Sequence, residues 1–139
     1  MSSFPIQHIV TCFLQYNGKI LLLKRSQLVG SFQGKWAGIS GYLESTSPDQ
    51  QVLIEIKEET SLSSDDVFLI KKGIIFEVDD HKHNVHWIIH PYMYQVVDPS
   101  KIKTDWEHCD MRWISPSDIN SMETVTGLAE LLSQFINIE

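Results

Sequence analysis

Apolar positions along this chain follow two rhythms. From residue 6 to 25 the runs IQHIVTCFLQY and KILLLKR are dense in aliphatic and β-branched residues, and Asn17-Gly18 separates them. Both residues of that pair tolerate positive φ, so the spacing predicts antiparallel strands joined by a type I′ turn. SQLVGSFQG, punctuated by glycine, reads as a loop, and KWAGISGYL after it as a short strand. VFLIKKGIIFEV and HNVHWIIHPYMYQVV predict a second antiparallel pair around the polar turn DDHKHN, with CDMRWI as a shorter strand. The second rhythm is helical. Ser47, Pro48 and Asp49 make a helix start: a hydroxyl N-cap, a proline where its missing N–H costs nothing, and a carboxylate at the positive end of the dipole. A helix of about 13 residues follows from there. Val125, Leu128, Ala129, Leu132, Phe135 and Ile136 recur at helical spacing and predict a closing amphipathic helix, packed on the core or, alternatively, forming a homodimer surface. No repeat, low-complexity tract or composition break marks a linker, so residues 1–139 are expected to form a single domain.

Composition narrows the range of partners. The 139 residues are 42% hydrophobic, enough for one ordinary core. Eighteen acidic against eleven basic residues give a formal charge of -7, which argues against a broad nucleic-acid surface. A small anionic ligand remains compatible with that charge if a cation bridges it. Cys12 and Cys109 stand far apart in sequence, and MSSFPIQH has no basic region followed by an apolar run. Neither a disulfide framework nor a secretory signal is indicated, and a reducing, cytoplasmic setting is expected. No apolar stretch approaches the roughly 18 residues a membrane helix needs, so no membrane partner is expected.

The densest charge lies within the first helix. EIKEE places Glu55, Glu58 and Glu59 within five positions. At 100° per residue they fall on one arc, beside Val52, Leu53 and Ile56, which would face the core. Like charges at i,i+4 cost an exposed helix only about 0.2–0.5 kcal/mol per pair. Facing a low-dielectric cleft, the same carboxylates would take up protons unless a cation neutralised them. Mg²⁺ suits such a stripe, because it prefers oxygen ligands and shares a few carboxylates with water and substrate phosphate. EIKEE on its own is common on solvated helices, so its surroundings decide the reading.

Those surroundings resemble the Nudix box, GX5EX7REUXEEXGU with U a bulky aliphatic residue. Gly41 falls at the opening glycine, Glu55 at the first Glu of REUXEE, Ile56 at U, Glu58 and Glu59 at the EE pair and Leu62 at the final U. The upstream LLLKR and WAGISG are also similar to what Nudix domains carry before the box. The resemblance implies an α/β Nudix fold, an α/β/α sandwich around a mixed β-sheet. It also implies Mg²⁺-dependent (or Mn²⁺-dependent) hydrolysis of a nucleoside diphosphate linked to another moiety, by water attacking phosphorus. On that reading Glu58, Glu59, Glu55 and the Gly41 carbonyl hold the metal, and Glu55 and Glu59 are the catalytic carboxylates, Glu55 as ligand or as base.

This chain also departs from the box. The interval from Gly41 to Glu55 is one residue short, and Thr46 and Ser47 lie where the first glutamate belongs. Ile54 replaces the arginine that holds the catalytic Glu in the family, and Ser61 replaces the late glycine. Ile54 therefore implies either another orienting group or weaker catalysis, and the alternative reading is a Nudix-fold module that binds a nucleotide or a protein without turning it over. Glu44 is a candidate replacement for the lost oxygen. Arg25 and Lys24 end the second strand where a cation could meet phosphate, while Glu107 and Glu77 are candidate bases on later segments. His81, His83, His86 and His90 lack the cysteine pair of a common zinc site. Among Phe32, Trp36, Trp87, Tyr92 and Tyr94, one or two are expected to meet a ligand and the rest to be core. Residues 77–80 carry neither the proline nor the tyrosine that marks some Nudix subfamilies.

Overall fold

The computed structural model describes residues 3–27, 32–44, 46–105 and 107–138. Part of the SQLVGSFQG loop, Ser45 and Trp106 lie outside the described residues. Strands β1 (Ile6–Tyr16) and β2 (Lys19–Arg25) form the expected hairpin, with Gln15 opposite Ile20 and Tyr16 opposite Lys19. Asn17 at φ 50° and Gly18 at φ 73° supply the paired positive dihedrals of the turn. Short strands β3 (Trp36–Ala37) and β4 (Ile39–Tyr42) lead into helix α1 (Pro48–Thr60). Strands β5 (Val67–Lys72), β6 (Phe76–Asp80), β7 (Val85–Val96) and β8 (His108–Ile114) follow, and helix α2 (Leu128–Leu132) comes last.

The eight strands make one mixed sheet along the path β3-β2-β1-β7-β5, with β4 on β1, β6 on β7 and β8 on β2. β1 and β7 run parallel through ten registered pairs, from Ile6–His86 to Gln15–Gln95, and the remaining strand pairs are antiparallel. Because these central strands are covered on both faces, KILLLKR reads as a continuous apolar run and not as an alternation. Val10, Cys12, Leu14, Leu21, Leu23, Tyr92 and Tyr94 pack on one face with Val52 and Ile56 of α1. Phe13, Ile20, Leu22, Trp87, Ile89 and Met93 pack on the other with Leu128, Leu131 and Leu132 of α2. The result is an α/β/α sandwich around a mixed sheet, the fold that the resemblance implies. No helix among the described residues is long and apolar enough to cross a membrane.

Two elements differ from expectation. The run 67–78 is two strands, both antiparallel to β7, separated by residues 73–75. Pro91 of β7 lies opposite the break. It has no N–H to donate, so the ladder there keeps only the bond from Gly73 N–H to the Pro91 carbonyl, at 2.8 Å. The closing helix is also shorter than its apolar spacing suggests. Gln134 turns away to clamp the backbone of Ile74 across that same break, accepting from its N–H at 2.7 Å and donating to its carbonyl at 3.0 Å. The chain tightens into i→i+3 bonds at Gln134 and Phe135, while Phe135 and Ile136 still pack on the core as predicted.

Helix α1 has the expected start and 13 residues. Ser47 Oγ accepts from Gln50 N–H at 3.3 Å and Pro48 sits in the first turn. Its end is the left-handed Ser61, φ 69°, whose N–H reaches the Lys57 carbonyl at 2.9 Å. A non-glycine residue there carries strain of about 1–2 kcal/mol, only partly offset by the greater unfolded-state freedom of glycine. Ser61→Gly should therefore stabilise the protein by about 0.5–1 kcal/mol, read as a higher urea midpoint at unchanged slope. A lower midpoint would contradict this account of the helix end.

Candidate active site

α1 packs over β4, and the contact is built on the smallest residue. A Cβ added to Gly41 would lie 2.2 Å from Glu55 Cδ and Oε1, so any other residue would push that carboxylate away. Glu55 is 8% exposed and accepts from Gln51 Nε2, one turn earlier, at 2.8 Å. Gln51 is itself 2% exposed, and its Oε1 takes the Glu44 N–H at 3.4 Å. The helix thus presents Glu55 to a fixed point on β4. Burial raises the Glu55 pKa, the Gln51 hydrogen bond opposes the rise, and the Glu58 charge adds to it.

Glu59, one turn on, is 3% exposed and its Oε2 has no hydrogen-bond partner among the described residues. Its Oε1 stands 3.5 Å from Nε2 of the buried His108, whose Nδ1 is 2.7 Å from Asp105. Burial pushes the Glu59 carboxyl well up, and the nearby charges of Glu55, Asp105 and Glu107 push in the same direction. A buried carboxyl oxygen without a donor is costly, and it is a fitting oxygen for a hard divalent cation. Glu58 is exposed beside them. Among the described residues no three His, Cys, Asp or Glu side chains form a ready cation cage. A cation here would have to complete its ligands with water and substrate, as Mg²⁺ commonly does.

A cavity of about 270 Å³ opens where these elements meet, and Gly41, Glu44, Glu55, Glu58, Arg25 and Glu107 all line it. Residues 82 apart reach one rim because the end of β2 meets the start of β8: Ser26 N–H bonds the Glu107 carbonyl at 2.8 Å. Glu59 is not part of the lining and lies buried by its His108 contact. Phe32, Tyr42, Trp87, Ile89, Leu128 and Leu131 add an apolar share to the same lining. Of the sequence candidates for ligand contact, Phe32 and Trp87 are thus on the wall, while Trp36, Tyr92 and Tyr94 are core.

Other candidates are drawn elsewhere. Glu77 bonds His86 Nε2 at 2.8 Å on β6 and does not line the cavity, and Lys24 Nζ sits 6.0 Å above the Trp36 ring. His83 pairs with Asp80, His86 with Asp79 as well as Glu77, and His90 with His8. Sequence reasoning missed Gln51, Asp105, His108 and Tyr42. An i,i+4 glutamine before a box glutamate was the one signal that could have revealed the first.

The α/β/α sandwich around a mixed sheet is a fold shared with solved structures. The NUDIX domain model matches residues 6–135, and the chain belongs to that family. Among solved structures it is similar to a MutT protein from Methanosarcina mazei Go1, at 22% identity and TM-score 0.80, covering 97% of this chain and 96% of that one. A NUDIX hydrolase from Nitrosomonas europaea matches at 20% identity and TM-score 0.75, over 94% and 88%. A C. elegans Ap4A hydrolase, solved as a binary complex, matches at 15% identity and TM-score 0.70, over 94% of each chain. No curated protein sequence matches the chain. Membership of this family supports a hydrolase, pyrophosphate cleavage being general to it.

The raised Glu59 pKa has a consequence for stability. A carboxyl whose folded-state pKa exceeds its unfolded value of about 4.3 supports folding below that value and loses this support as pH rises towards the folded pKa. In metal-free buffer, Glu59→Gln should therefore be more stable than the parent at pH 8, with the gap narrowing towards pH 5, in urea unfolding at both pH values. A gap that does not change with pH would mean Glu59 is not desolvated in solution.

Proposed function

We propose that this protein is a Mg²⁺-dependent hydrolase that cleaves the pyrophosphate bond of a nucleoside diphosphate linked to another moiety. The observation that carries this reading is that one cavity is lined both by Gly41, Glu44, Glu55, Glu58, Arg25 and Glu107 and by the aromatic side chains of Phe32, Trp87 and Tyr42. An ion held by Glu55, Glu58, Glu59 and the Gly41 carbonyl, with Glu44 as a further oxygen, would neutralise a pyrophosphate and stabilise charge developing on the transferred phosphoryl group. Mn²⁺ would serve the same donors. Everything else falls to the chain. Arg25 meets phosphate oxygens with a fixed charge. Glu55, held against Gly41, ligates the ion or takes the proton of the attacking water, with Glu107 as the second carboxylate on the rim able to do so. The aromatic side chains of the lining hold the organic moiety and exclude water from around it.

A second reading, a module that binds a nucleotide without hydrolysing it, is favoured by Ile54. This residue is 43% exposed where the family carries its orienting arginine. The two readings separate in one experiment. Incubation with nucleoside triphosphates, nucleotide sugars, ADP-ribose and dinucleoside polyphosphates plus Mg²⁺ should release a mononucleotide from at least one class, identified by mass. Mg²⁺ or Mn²⁺ should raise the melting temperature, by the equivalent of about 2.7 kcal/mol at a hundredfold excess over Kd. Glu58→Gln combined with Glu59→Gln should abolish that rise and the turnover. Silence across the panel with an intact metal response would establish the binding module instead, and no metal response would sink the proposed chemistry.

A further inference from the structure

On the proposed metal-dependent reading, we propose that Gln51 is the positioning residue for Glu55, taking over the task that Ile54 cannot perform. Glu55 needs a donor on its outer oxygen. Its carboxyl carbon is seated against Gly41, so the only freedom left is rotation about that seat. Gln51 Nε2 holds Oε2 at 2.8 Å and stops the rotation.

The Gln51 amide is in turn held at its other end. Its oxygen accepts the Glu44 N–H at 3.4 Å, so the amide orientation satisfies both partners, and flipping it would satisfy neither. Gln51 therefore ties the helix carboxylate to the segment that follows β4, which itself contributes Glu44 to the cavity. Ile54 sits outward on the helix and has no polar atom to offer. An i,i+4 pair of this kind on an open surface would be worth only a few tenths of a kcal/mol, because water competes for both ends. Here both residues are more than nine-tenths buried, so water competes far less for the amide.

Gln51→Met keeps the length of the side chain and removes both the donor to Glu55 and the acceptor for the Glu44 N–H. The test is Mn²⁺ binding, read as free Mn²⁺ by electron paramagnetic resonance, beside the melting temperature without metal. Orienting groups of this kind typically govern affinity by about 10–100-fold. The expected result is a Mn²⁺ Kd at least tenfold weaker than the parent's, alongside some loss of metal-free melting temperature from the partners left unsatisfied. A merely structural glutamine would lower the metal-free stability and leave the Kd unaltered, which overturns the proposal. Glu58→Gln is the reference. If it loses Mn²⁺ while Gln51→Met binds like the parent, the metal site stands and the role of Gln51 falls. If the parent itself binds no Mn²⁺, both fall together. Should Gln51→Met not fold, the parent still decides: the ¹⁵N-labelled Gln51 side-chain amide should shift as Mg²⁺ is added. An unmoved resonance in protein that takes up the ion would refute the assignment.

Discussion

The contact between Glu55 and the bare Cα of Gly41 is the constraint on which the site depends. A carboxylate can come that close to a β-strand only where no side chain intervenes, and the approach buries it on the helix face that also carries Glu59. Burial then makes charge expensive. Two carboxyl groups one turn apart, both raised by desolvation and Glu59 further raised by the charge of Glu55, form a site in which ionising both is costly. The cost is local. Val52 and Ile56, on the adjacent arc of the same helix, pack into the core and hold it down.

The rest of the fold keeps that helix and that strand in register. β4 pairs with β1, with Gly41 opposite Val10, and β1 pairs with β7 for ten residues in parallel. Long parallel pairing needs cover on both faces, which α1 and α2 supply. The same arrangement gives the cavity a mixed lining: carboxylates from α1, the segment after β4 and the junction of β2 with β8, and apolar side chains from β4, β7 and α2.

Legibility in the sequence followed the range of the interaction. The Asn17-Gly18 turn, the Ser47-Pro48 start of α1 and the acidic stripe are set by neighbours within a few residues, and all could be read. The break at Gly73 could not, because its cause, Pro91, lies eighteen residues away on another strand. Nor could the early end of α2, which depends on Gln134 finding Ile74 across that break. In the site, the motif placed Gly41, Glu55, Glu58 and Glu59, but the Asp105–His108–Glu59 chain joins segments that only the fold unites. Helical periodicity put the three glutamates on one arc without distinguishing them. The structure does: Glu55 and Glu58 both line the cavity, the first buried and the second exposed, while Glu59 is buried outside the lining.

That division explains how the chain tolerates so degenerate a box. Losing the arginine at position 54 removes a charge that would both orient a glutamate and offset its negative charge. A neutral amide restores the first effect and only part of the second, since a hydrogen bond favours the ionised form less than a full positive charge does. The remaining repulsion must be carried by a bound cation or by protonation. Arg25 lines the same cavity, but at the end of β2, where it faces the ligand's side of the site and does not replace a charge on the helix. On the proposed metal-dependent reading, a box built this way would depend more heavily on its ion than one that retains the arginine, and the oxygen most exposed to that dependence would be the buried Oε2 of Glu59, which has no donor among the described residues.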